Sequence, residues 1–154
     1  MAAILQSLGR TIIAGIVILI LLIVIASSVA GAGPQMGHAW GAFFMRWLHV
    51  LSGVMWIGLL WYFNFVQIPS MPKIPDEQKP AIGKVIAPTA LFWFRYAALS
   101  TVVTGLLVAW MNGYLADALG LRQPVHAIGI GMWLALVMAF NVWFIIWQIG
   151  RAHV

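Results

Sequence analysis

Long apolar runs broken by short polar stretches set the plan of this chain. Thr11 to Ala30 is twenty residues without a charge, and at about 1.5 Å per residue a helix of that length crosses a hydrocarbon core of roughly 30 Å. Three further runs read the same way: Trp47 to Val66, Leu91 to Met111 and His126 to Trp147. The pattern predicts an all-α, polytopic membrane four-helix bundle in a single domain, with spans at about 11–30, 47–66, 91–111 and 126–147. A cleaved signal peptide is the rival reading of the first run, because Arg10 precedes it and small residues follow, but its length exceeds the usual apolar region of such a peptide. The stretch QIPSMPKIPDEQKPAIGKVIAP between the second and third runs holds five prolines and five of the eleven charged residues; it predicts a loop over 67–90 at the membrane surface.

Composition supports a bilayer protein. Of 154 residues, 64% are hydrophobic and 7% charged, far below the share of charge in a soluble domain. A net charge of +5 comes from eight scattered Lys and Arg that form no cluster, which argues against nucleic acid and for topology signalling. Arg10, Lys73, Lys79, Lys84, Arg95 and Arg151 fall on one side, Arg46 and Arg122 on the other. The excess of positive charge therefore predicts that both termini lie in the cytoplasm, with 67–90 as a cytoplasmic loop. Cysteine is absent, so thiolate metal sites and thioether-attached haem are excluded. The only acids, Asp76, Glu77 and Asp117, lie between spans, leaving no paired carboxylates for catalysis inside the membrane. No Ser-His-Asp set, phosphate loop or dinucleotide fingerprint is visible.

The second and fourth spans echo each other. When HVLSGVMWIGLLWYFNF is set over HAIGIGMWLALVMAFNV, six of seventeen positions coincide, among them His49 with His126, Met55 with Met132, Trp56 with Trp133 and Asn64 with Asn141. An internal repeat of two helical hairpins follows, related by a pseudo-twofold axis along the membrane normal. It brings His49 and His126 to one depth near the outer surface. Helical spacing gathers His49, Gly53, Trp56 and Asn64 on one face, and His126, Gly129 or Ile130, Trp133 and Asn141 on another. Three readings of the histidine pair stay open. Each imidazole bonds to a carbonyl, head group or water, with the asparagines as interhelical polar contacts; or His49 and His126 are axial ligands of haem b; or His49, His126 and His38, with nearby methionines, hold copper at the outer face. A lipid-soluble ligand such as a quinone is a further occupant of the same region.

At RWLHVLSGVMWIG the chain resembles the N-terminal membrane region of bacterial membrane-bound urate oxidases (urate hydroxylases). LFWFRYAALSTVVTG and VMAFNVWFIIWQ extend the likeness to the third and fourth spans. Phe92 and Ala97 stand where that family carries a histidine and a glutamate. The LHV-x-WIG pattern is similar also to small four-helix membrane proteins of the copper-resistance D type and to bacterial membrane protoporphyrinogen oxidases. The resemblance implies a redox-associated membrane scaffold, and the positions that carry over are His49 and Asn141. Together these readings give a small integral-membrane, redox-associated subunit, with haem b between two outer-leaflet histidines, that supports a larger oxidase or respiratory complex. It is an electron-transfer component or subunit rather than a self-sufficient enzyme, and its partners are the lipid bilayer and other membrane subunits. The alternatives are a cofactor-free structural accessory subunit and an outer-face copper-binding membrane protein.

Overall fold

The computed structural model describes residues 6–31, 33 and 36–146; Trp147, Arg151 and His153 lie outside them. The described residues are helical, with no strand. Four helices are long and apolar enough to cross a membrane: α1 (Leu8–Ala30), α2 (His38–Lys73), α3 (Lys79–Met111) and, after the short α4 (Leu115–Leu119), α5 (His126–Ile146). The chain divides into two units at Trp40.

In the first unit, α1 starts after Ser7, whose carbonyl accepts from the Thr11 backbone N–H and from its hydroxyl, each at 3.0 Å. It ends at Gly31, where φ of 65° places the backbone in the left-handed region that glycine tolerates best. None of its residues is buried. By length and composition it is suited to cross a membrane.

In the second unit α2, α3 and α5 pack together, with α2 and α5 each antiparallel to α3. Trp56, Phe94, Ala97, Ala98 and Val142 form the core, flanked by Leu59, Leu60, Phe63, Ala135, Ala139 and Trp143. Ala97 and Ala98 have no exposed surface, so α3 offers methyl groups where its neighbours offer rings, and large side chains fit against small ones. One turn beyond, the hydroxyls of Ser52 and Ser100 bond across the α2–α3 seam at 2.8 Å. Ser52→Ala is expected to cost about 0.6 kcal/mol, the mean for such interhelical bonds in membrane proteins, measurable as a small fall in thermal midpoint in detergent.

The proline-rich stretch departs from its expected loop. Helix α2 runs on to Lys73 and α3 begins at Lys79, so the chain reverses only over Ile74–Gln78. Two π-helical turns make this possible, Tyr62–Gln67 before Pro69 and Ile82–Ile86 before Pro88. A proline lacks the N–H that would bond four residues back, and its ring collides with that carbonyl. In both cases the carbonyl concerned, of Phe65 or Lys84, lies in the widened turn, where i→i+5 pairing makes room. Pro80 sits in the first turn of α3, where no N–H is needed. With 36 residues α2 is about 54 Å long, well over the expected span of 47–66, and it exceeds the thickness of a hydrocarbon core.

Candidate functional site

The site grows from one side chain. His49 leaves α2 toward α3, where Nδ1 lies 2.9 Å from the carbonyl oxygen of Thr101 and 3.3 Å from Thr104 Oγ1. A carbonyl can only accept, so Nδ1 carries the hydrogen and Nε2 keeps its lone pair. This carbonyl-held tautomer is the one that orients a histidine toward a metal or a donor. The threonines are themselves fixed. Thr101 donates its hydroxyl to Ala97 O at 2.8 Å and Thr104 donates to Ser100 O at 2.6 Å, the back-bonding expected of hydroxyls within a helix. Both are buried. Gly105 completes the seat: a Cβ there would stand 2.8 Å from His49 Cε1 and 3.1 Å from Nδ1, so the imidazole occupies space that only a glycine leaves open.

Beside the ring, α2, α3, α5 and the start of α4 enclose a cavity of about 480 Å³, within the size range of ligand sites. His49, Arg46, Thr101 and Tyr114 are its polar lining; Gly105, Ala109, Gly131 and Ala135 are its small residues; Leu106, Ile128, Met132 and Leu136 add apolar wall.

His126 is absent from that wall. The reason lies in the same helical arithmetic that grouped it with Gly129 and Trp133. That row of α5 is turned to α4: a Cβ on Gly129 would fall 2.0 Å from Ala118 O, and Trp133 Nε1 donates to Leu119 O at 3.0 Å. The adjacent row, with Ile128, Met132 and Ala135, meets the cavity. His126 is half-buried, and its Nδ1 is buried without a hydrogen-bond partner. His38, exposed at the first turn of α2, belongs to the other unit. Among the described residues no three His, Asp or Glu side chains cluster as a metal site would need.

The aligned asparagines both fall in π-helical turns, Tyr62–Gln67 and Asn141–Ile146. Their expected role does not hold for Asn64, which is exposed and donates to Leu60 O of its own helix at 2.8 Å. Arg46, Thr101, Thr104 and Gly105 are site residues that the sequence pattern alone does not single out. The signal available was the row of small and hydroxyl residues at 97, 98, 100, 101, 104 and 105, which marks the face of α3 that admits close neighbours. In comparisons with family models, curated proteins and solved structures, none matches this chain.

Proposed function

We propose that this chain is a small integral-membrane, redox-associated subunit of the bacterial inner membrane that holds haem b in the cavity beside His49 and serves a larger oxidase or respiratory assembly. The observation that carries the reading is His49, whose Nδ1–H is held by Thr101 O while the side chain lines a mostly apolar cavity, so that Nε2 is the nitrogen left for ligation. The donor set fits the group. Imidazole is a common axial ligand of haem iron, and glycine and alanine on α3 and α5 leave room for a planar ring. Met132 and Tyr114 are other cavity-lining side chains whose atoms iron accepts. When bound, the haem supplies one-electron transfer; the protein's part is to orient the ligand nitrogen, exclude water and hold the ring between helices. The topology that goes with this reading has both termini and the Ile74–Gln78 turn in the cytoplasm, where Lys73, Lys79 and Lys84 satisfy the positive-inside rule. Two hairpins related as a repeat, α1 with α2 and α3 with α5, complete it.

The test is a visible-region titration of detergent-purified protein with haem b. The expected result is a Soret band that saturates near one haem per chain, is lost in His49→Ala and persists in His126→Ala. A band that survives His49→Ala, or no saturable binding at all, refutes the assignment; in the second case the cofactor-free accessory subunit becomes the better description.

A further inference from the structure

Arg46 raises a question of charge balance. It lies one turn before His49 on α2 and lines the same cavity. The three acids of the chain are all placed elsewhere. Asp76 is paired with Lys79, and Asp117 with Arg122 at 3.4 Å. Glu77 sits in the Ile74–Gln78 turn, some 40 Å away along α2 at 1.5 Å per residue. No acidic side chain among the described residues is thus left to answer the guanidinium at the rim of an apolar cavity. A cation beside low-dielectric walls favours an anion as its neighbour, and a guanidinium fits a carboxylate with two parallel bonds.

We propose that Arg46 holds a carboxylate of the bound ligand, the propionate edge of haem b on the reading above, so that the cavity selects an amphiphile with a flat apolar body and an anionic edge. The proposal rests on that reading and adds orientation to it. Held by His49 and Arg46, such a ligand would have its acidic edge at the polar side chains of the lining and its apolar body against residues such as Leu136 and Ala135. Tyr114, also on the rim, supplies a second hydrogen-bond donor to the same edge.

Haem b and its dimethyl ester share ring and iron and differ only in the carboxylates, so the pair isolates the interaction. Protein in an uncharged detergent is titrated with each and followed by its visible spectrum. Unmodified protein is expected to bind the free acid about tenfold more tightly than the ester, as one charge-assisted contact at a partly exposed site warrants. Arg46→Gln should lower affinity for the acid by about that factor and leave the ester unchanged, while Arg46→Lys retains part of the preference. If Arg46→Gln binds both compounds as the unmodified protein does, the orientation is wrong while haem binding stands; that is also the result expected if a lipid phosphate occupies Arg46. If the unmodified protein binds neither, both proposals fall together.

Discussion

Gly129→Ala is expected to lower the stability of the second unit by about 2–3 kcal/mol, the upper part of the usual range for overpacking, even though alanine is the better helix former by about 1 kcal/mol. The new methyl group would lie 2.0 Å from Ala118 O and 2.9 Å from both Ala118 C and Leu121 Cδ2. Two of those atoms are backbone and cannot swing aside, so α4 and α5 must separate. Separation also draws Leu119 O away from Trp133 Nε1, which leaves the indole N–H without its partner. The measurement is thermal unfolding in detergent, together with limited proteolysis between 112 and 125, where faster cleavage is expected. Gly58→Ala on α2, which meets nothing within 4 Å, is the control and should be neutral or slightly stabilising. Equal thermal midpoints for the two variants would contradict the packing described here.

Gly105→Ala is expected to spare the fold and damage the site. The three atoms nearest its methyl group all belong to the imidazole of His49, the first being Cε1 at 2.8 Å, and a single side chain can tilt where backbone cannot. Tilting breaks the 2.9 Å bond to Thr101 O, and the ring loses the contact that sets its tautomer. Stability should change by about 1 kcal/mol or less, as the propensity gained offsets the hydrogen bond lost. Affinity for haem b should fall tenfold or more, since a ligand that is no longer held in position must be ordered by the haem itself. Gly131→Ala enlarges a residue on the opposite wall that has open space around it, so it separates loss of cavity room from loss of ligand orientation. Should Gly105→Ala bind haem as the unmodified protein does, the seat of His49 is not what fits it for ligation.

Much of the architecture could be read from hydrophobicity alone, because twenty apolar residues have few stable forms other than a helix in lipid. Helix α5 begins at His126, as expected. The proline-rich stretch misled because prolines are read one at a time as breakers, whereas the π-helical turns before Pro69 and Pro88 absorb the missing bonds together. Those turns also explain Asn64. Spacing by three and four residues keeps His49, Trp56 and Leu60 toward α3 and the core, but from Tyr62 the turn is wider and the count no longer returns to the same face.

The histidines show a different limit. Identical residues at identical register lie in unlike surroundings: Trp56 is 3% exposed in the core, while Trp133 is 48% exposed against the end of α4. The difference originates in Leu115–Leu119, which has no counterpart between α1 and α2 among the described residues and takes up the row of α5 that carries His126. A pairwise comparison of two spans contains no term for a third element that covers one of them. His49, by contrast, could be found because its partners are spaced along one face of one helix.

Because α2 and α3 stay helical to within five residues of each other, the charges around the turn ride on a stiff stalk instead of a floppy tether. Lys73, Lys79 and Lys84 therefore keep set spacings before anything docks there. A subunit or anionic surface that meets this tip finds its contacts already arranged, and the ordering entropy that a flexible segment would forfeit on association is largely absent.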